Sequence, residues 1–337
     1  MNQHLCTDKV EWELALARFP EANFLSSWEW GRFQESLGKK VDKVIGTVDK
    51  TVVAAALLVT EVAKRGTYVA CAGGPLVNWK SLQETTAFFE ILQKYAQDHH
   101  AVFIRFRPQT LIEQVSPRCL QLLGARLAPM HLTADFTLQL DLTKKPEQLL
   151  SEMRKNTRYE VRRAEKLGIT TEFSQNPNDL KEFYTYQLAL ATKHGFVPFS
   201  HEFLLQQFQS FLETDSVLLV HAKQQKTLLA SAFIIFYNGE AVYHYGISTP
   251  ANDKLPGAYA AQWAAILEAG RRDCTRYNFW GITQTTQVDH RFSGVSLFKR
   301  GFGGFEVGYL PAHDIPLRPQ YWIIYLFELM RKKLRRL

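Results

Sequence analysis

Apolar positions recur along this chain with two periods, and the switches between them mark out helices and strands. The three-to-four-residue period over Val10–Phe19, behind Thr7 and Asp8, predicts an amphipathic helix, and Trp28–Leu37 predicts a second, stopped at Gly38. The β-rich runs Val44–Val48 and Val52–Val59 flank Asp49-Lys50-Thr51, the pattern of a hairpin. Tyr68–Ala72 reads as a strand closed by Gly73-Gly74-Pro75. A helix over Leu82–Asp98, a strand over Ala101–Phe106 ahead of Pro108, and a strand over Phe136–Leu142 follow.

The second half repeats that order. A long helix over Pro146–Leu167 ends at Gly168, then come strand Ile169–Phe173 and helices Pro177–His194 and His201–Leu212. Strands Val217–Ala222, Leu228–Tyr237 and Ala241–Ile247 precede helix Ala258–Arg272 and strand Arg276–Phe279. Each half has helices, a strand meander, a long helix and a short strand, so the pattern predicts an α/β (α+β) protein built by duplication of one unit, with a break near Leu142–Pro146.

Composition narrows the class without changing this picture. The 337 residues are 46% hydrophobic and 22% charged, ordinary for globular protein and long enough for two domains of roughly 100–200 residues. No apolar run approaches the ~18 residues of a membrane span, and MNQHLCTDKVEWE lacks the basic-then-apolar pattern of an export signal. Cys6, Cys71, Cys119 and Cys274 form no C-x-x-C pair, which argues against a zinc site or a disulfide framework and for a reducing cytoplasm.

Charge is more informative by location. The net +7 is concentrated in two places. Between Glu152 and Lys166, six basic residues (Arg154, Lys155, Arg158, Arg162, Arg163, Lys166) oppose three glutamates. The tail adds Arg331, Lys332, Lys333, Arg335 and Arg336. Such features attract a polyanion or an anionic membrane, or simply solvate a helix face.

Several familiar catalytic layouts are missing: no H-E-x-x-H, G-x-S-x-G, Walker loop or G-x-G-x-x-G occurs. The adjacent His99-His100 lacks neighbouring acidic ligands, so no metal or other cofactor is expected. One turn is more specific. Asp253-Lys254-Leu255-Pro256-Gly257-Ala258-Tyr259 joins a strand to a helix, where backbone N–H groups can face a phosphate or carbonyl. The Lys254-x-x-Gly257 spacing resembles the glycine-rich turn of GNAT acetyltransferases, with bulky Tyr259 where coenzyme A needs a small residue.

Five segments in order, SSWEWGRFQESLG, RKNTRYEVRRAEKLGI, YHYGIST with LPGAYAAQWAAI, YNFWGI, and SLFKRGFGG, resemble the FemABX family of peptidoglycan-bridge aminoacyltransferases. The likeness runs from about Leu25 to Gly304. It implies two tandem GNAT-like domains, mixed central sheets flanked by helices, residues 1–143 forming the first and 144–312 the second, with the tail 313–337 returning to the first. No heptad segment occurs, so the compact form without a coiled-coil arm is expected. The implied reaction moves an amino acid from aminoacyl-tRNA to an amine of a nucleotide- or lipid-linked muropeptide precursor.

By that resemblance Lys299 is the catalytic residue, in the Phe298-Lys299 pair, stabilising an oxyanion or assisting the leaving ribose oxygen. Substrate contacts are expected from Arg32, Arg107, Tyr243, Tyr245, Gly257, Tyr259, Asn278 and Phe298. Asn278 stands where the family has Asp. Arg107 stands in place of another family Asp, and His194-Gly195 is followed by Phe199 rather than an arginine. Arg154, Lys155, Arg158, Arg162 and Arg163 are the expected tRNA contacts. Two alternatives stay open: an N-acyltransferase of the same fold with another acyl donor, and a non-catalytic polyanion-binding relative.

The segment Tyr321–Phe327 is too short to cross a bilayer and leads into the basic tail. As one helix it would align Trp322, Tyr325, Leu326 and Leu329 in a stripe that packs on the first domain. Its basic end is expected to touch anionic lipid at the inner face of the cell membrane, in an otherwise cytoplasmic protein.

Overall fold

The computed structural model describes residues 1–286 and 292–335, so Arg336 and Leu337 of the basic tail lie outside the described residues. The chain divides into two compact units, Met1–Asp135 with Gly308–Leu337, and Phe136–Val307.

In the first unit, β1 (Asn2–Leu5), α1 (Lys9–Leu16) and α2 (Trp28–Ser36) lead into the meander β2 (Lys40–Val48), β3 (Thr51–Ala63), β4 (Gly66–Gly73), with the short β5 (Leu76–Val77). Helix α3 (Leu82–Asp98) crosses to β6 (Phe103–Pro108), and α4 (Pro117–Leu122) and β7 (Arg126–Leu127) follow. The second unit begins with β8 (Phe136–Asp141), α5 (Pro146–Glu152), α6 (Lys155–Lys166), β9 (Ile169–Ser174), α7 (Leu180–His194) and α8 (His201–Leu212). Its meander is β10 (Val217–Gln224), β11 (Thr227–Tyr237), β12 (Glu240–Ser248). Helix α9 (Gly257–Arg271) crosses to β13 (Arg276–Gly281), before α10 (Ser293–Arg300) and β14 (Phe305–Gly308). The chain then returns to the first unit as β15 (His313–Pro316) and α11 (Tyr321–Arg335).

The sheet orders are β1-β2-β3-β4-β6-β15-β7 with β5 on β3, and β14-β8-β13-β12-β11-β10-β9. The repeated grammar is visible in each: an antiparallel meander, a crossover helix, and a parallel strand beside the last meander strand. Strand β8 pairs with β13, Arg276 facing Asp141, so it belongs to the second sheet. The crossing at Asp135/Phe136 therefore precedes the break expected after residue 143, and the return at Gly308 precedes the one expected at 313.

Two details of packing place the site. Helix α3 buries Phe88, Phe89, Leu92 and Ala96, the three-to-four spacing of one face, on Val44, Ile104 and Phe106. Helix α9 presents alanines instead: Ala264, Ala265 and Ala269 let it lie close to Val220, Ala232 and Ile234 of the second sheet. The parallel seams also differ. In the first sheet β4 and β6 stay paired from Val69–Ile104 to Gly73–Pro108. In the second, β12 and β13 pair only from Glu240–Arg276 to Val242–Asn278.

The long helix expected over Pro146–Leu167 is two helices. Met153 and Arg154 are extended (ψ 147° and 141°), and the Arg154 N–H donates to the Gly301 carbonyl at 2.9 Å. Gly301 is required there because a Cβ would collide with the Thr157 hydroxyl. Helix α11 also turns its expected stripe around: Tyr321 and Ile324 are buried, with Tyr325 packed beside them, whereas Trp322, Leu326 and Leu329 face solvent.

Candidate active site

The site forms where the second parallel seam ends. Beyond Val242 and Asn278 both strands bulge. On β12 the register on β11 jumps from Phe233–Tyr245 to Ile234–Tyr243, leaving His244 as the extra residue. On β13 it jumps from Asn278–Gln139 to Gly281–Thr137, so Phe279 and Trp280 oppose one residue of β8. Trp280 adopts a left-handed φ of 59°, a strained setting for a bulky side chain. Its N–H donates to Asn278 Oδ1 at 2.8 Å.

Helix α10 fixes Lys299 at this opening. Ser296, Lys299 and Arg300, spaced to share one helix face, all hold the end of β13. The Ser296 hydroxyl accepts from the Thr283 N–H at 2.9 Å, Lys299 Nζ donates to the Gly281 carbonyl at 2.7 Å, and Arg300 donates to the Thr283 carbonyl at 2.5 Å. Lys299 is 7% exposed, and Nζ lies 5.6 Å from the Tyr243 ring centroid. Burial lowers its pKa to about 7, because removing the ammonium from water disfavours the charged form. Among the described residues no carboxylate offsets that loss.

The surrounding aromatics shape the opening. Phe298 packs edge-on against Tyr259 (5.0 Å) and Phe302 (5.3 Å), and Tyr243 against Phe279 (6.5 Å). Burial raises the Tyr243 pKa to about 12 and raises that of Tyr245 as well, so both stay phenols near neutral pH. Gly246 is needed because a Cβ there would occupy the position of the Tyr243 hydroxyl. The His244 ring lies 4.0 Å from that of Tyr245 and 5.8 Å from that of Trp280. Burial lowers its pKa to about 3, so it is neutral. Sequence reasoning passed over His244, although YHYG places it between the two tyrosines.

The other expected contacts are placed differently. Asn278 is fully buried; its amide nitrogen donates to Glu240 at 3.0 Å while its oxygen holds Trp280, so both ends serve the strand. Aspartate at this position would set a second carboxylate against Glu240, itself buried. Arg107 is fully buried inside the first unit, donating to the Ala134 carbonyl, 3.7 Å from Asp135, and over the Tyr309 ring. It is an internal clamp with no surface to offer a ligand. Arg32 is exposed on α2.

Gly257 opens α9, but a side chain there would strike Leu229 and approach Asn252 Oδ1 to 2.9 Å. Asn252 Oδ1 also accepts the Ala258 N–H at 2.8 Å, so the helix start is already capped from within. Tyr259 joins the Phe298–Phe302 cluster. The substrate contact expected at Gly257 is thus replaced by internal packing, and Gly257→Val is a packing defect. It is expected to cost about 1–3 kcal/mol by overpacking, read as a lower midpoint in chemical denaturation. An unchanged midpoint would contradict this.

The basic helix divides similarly. Arg158 donates to the Ser151 and Met153 carbonyls at 2.7 and 3.2 Å, bridging the break between α5 and α6. Arg163 pairs with Glu160 and donates to the Lys254 carbonyl. Arg154, Lys155 and Arg162 are exposed, and Lys155, Tyr159, Arg162 and Lys166 fall on one face at three- and four-residue spacing.

The family model described as the FemAB family matches residues 12–121 and 204–328. Aminoacyltransferase FemA of Staphylococcus epidermidis is 30% identical over 105 residues, which are 31% of this chain and 25% of that protein. The chain thus spans about a quarter of that relative's length. The crystal structure of FemX superposes with a TM-score of 0.86 over 97% of this chain and 100% of that one, at 16% identity. A tandem GNAT protein from the clavulanic acid biosynthesis pathway gives a TM-score of 0.55 over 94% and 98%, at 9% identity. The fold is a tandem GNAT-like arrangement of mixed α/β units.

Proposed function

This chain belongs to the FemAB family, and from that premise we propose that it transfers an amino acid from aminoacyl-tRNA to an amine of a peptidoglycan precursor peptide. The observation that carries the reading is Lys299: a buried amine, fixed on the Gly281 carbonyl at the end of an opened strand seam. The acceptor nitrogen bonds to the ester carbonyl carbon, and the carbonyl electron pair moves onto oxygen. Collapse then expels the ribose oxygen, which takes up the proton lost by the amine. The Lys299 ammonium stabilises the intermediate oxyanion in a site with little water, where a preorganised donor acts strongly.

Tyr243, on the Lys299 side of the bulge, is the phenol donor toward the acceptor, whereas Tyr245 packs on the other face against Phe199 and Phe233. Arg32, exposed on α2, is the candidate contact for an anionic carrier, and Arg154, Lys155 and Arg162 are those for the tRNA backbone. The carrier is a nucleotide or a lipid. A coenzyme A donor is disfavoured by the Asn252 cap, which takes an N–H that a pyrophosphate would need.

The test is incubation with mixed charged tRNAs and nucleotide- or lipid-linked muropeptides, read by mass spectrometry. A gain of one amino-acid residue is expected. A gain only with acyl-coenzyme A, or none with any donor, overturns the reading. In the same assay Lys155→Glu with Arg162→Glu is expected to weaken tRNA binding and to lower its salt slope by about one per lost phosphate contact.

A further inference from the structure

Helix α11 is apolar on the side that faces away from its own unit. Its inward side is fastened by buried Tyr321 and Ile324 and by Glu328, which pairs with Arg105 at 2.7 Å. The outward side carries Trp322, Ile323, Leu326, Leu329, Met330 and Leu334, with Ile323 71% and Met330 59% exposed. On a helix of 100° per residue these six occupy one continuous stripe, roughly opposite the buried side. A surface helix of a globular protein ordinarily has the reverse polarity, and a contiguous exposed apolar stripe marks an interaction surface.

Glu328 apart, the charged groups carried by this helix or stacked on its rings are basic. Arg126 lies over the Trp322 ring at 5.0 Å and Arg65 over the Phe327 ring at 3.3 Å. Arg331, Lys332 and Lys333 continue the helix. The helix has a single acid, Glu328, and it is turned inward onto Arg105. Among the described residues no helix is long and apolar enough to cross a membrane.

We infer that the outward face of α11 is an interfacial membrane anchor, which lies in the headgroup layer of an anionic bilayer. Trp322 sits at headgroup level and Leu326, Met330 and Leu334 dip into the acyl boundary, while the arginines and lysines meet lipid phosphates. A second copy of this chain or another protein would cover apolar area equally well. The basic border favours anionic lipid instead, since two copies would oppose like charges. The inference is independent of the transfer reading, because it is tested without donor or acceptor.

The experiment is co-sedimentation of the full chain with phosphatidylglycerol vesicles and with phosphatidylcholine vesicles, across ionic strength. Binding to the former is expected, falling with salt and weak on the latter. Two triple variants separate the contributions: Ile323→Ser with Leu326→Ser and Met330→Ser, and Arg331→Gln with Lys332→Gln and Lys333→Gln. Each is expected to lower vesicle affinity on the order of 100-fold with the thermal midpoint unchanged, because five of the six side chains are exposed and Lys332 is half-buried near the end of the helix. Absence of sedimentation with phosphatidylglycerol at low salt overturns the inference, as does binding that survives the serine variant. Light scattering supplies the remaining arm: a dimer that the serine variant dissolves, without vesicle binding by wild type, assigns the face to self-association and overturns the lipid reading.

Discussion

Replacing Lys299 with Met is expected to lower the transfer rate by about 10²–10³ while the protein folds normally. The rate loss follows from removing one preorganised charge-stabilising donor. Retention of the fold follows from the site: Met fills a similar volume beside Tyr243, and the variant escapes the cost of burying an amine with no counter-charge. The pH dependence of stability distinguishes this from general damage. The folded-state pKa of about 7 lies below the ordinary 10.5, so between those values the unfolded chain holds a proton that the folded chain has released. Wild-type stability therefore rises with pH through that window. The variant lacks this slope, and its advantage over wild type is greatest at and below pH 7 and shrinks above it. Activity has the opposite sense: if the ammonium is the working form, turnover falls as pH rises through about 7. Wild-type turnover in Lys299→Met would remove the residue from the mechanism.

Arg105→Met is expected to cause the largest loss of stability, about 3–5 kcal/mol, without touching the reacting centre. Arg105 makes two bonds to Asp314 (2.7 and 2.8 Å) and reaches Glu328 of α11. The Tyr321 hydroxyl donates to the same Asp314 carboxylate. Removing the guanidinium strands a fully buried carboxylate. Burial already raises the Asp314 pKa, opposed by Arg105, so the variant raises it further. A folded-state pKa above the unfolded value gives stability that is lost as pH increases, so the deficit is smaller near pH 4 than at pH 7. Urea midpoints at the two values check this. Adding Asp314→Leu is expected to recover part of the loss; equal stability of wild type and Arg105→Met at pH 7 would show that the network is not worth its burial.

The same pair shows what the sequence could and could not reveal. Both arginines stand in Arg105-Phe106-Arg107-Pro108, on a strand buried throughout. Alternation cannot say which one owns a carboxylate 209 residues away. The meanders were legible because their period and their turns are local, as at Asp49 and Lys50, both with positive φ. The allegiance of β8 was not, since it depends on pairing with β13. No glycine or proline announces the break at Met153–Arg154; the Gly301 carbonyl imposes it from a distant segment. Strands of two to four residues such as β1, β7, β14 and β15 are too short to show any period. At the candidate site, Lys299 was singled out by its motif, while the bulges that turn Tyr243 and Tyr245 to different faces and displace His244 follow from register, which only the assembled sheet defines.

The unequal seams of the two sheets bear on stoichiometry. One half keeps β4 and β6 laced together through Gly73–Pro108, whereas the other releases β12 from β13 after Val242–Asn278. A duplicated chain would ordinarily be suspected of housing twin reaction centres. Here one repeat has kept its backbone pairing and the other has given it up, so titration with a tight-binding inhibitor should reach its end point at one equivalent per polypeptide.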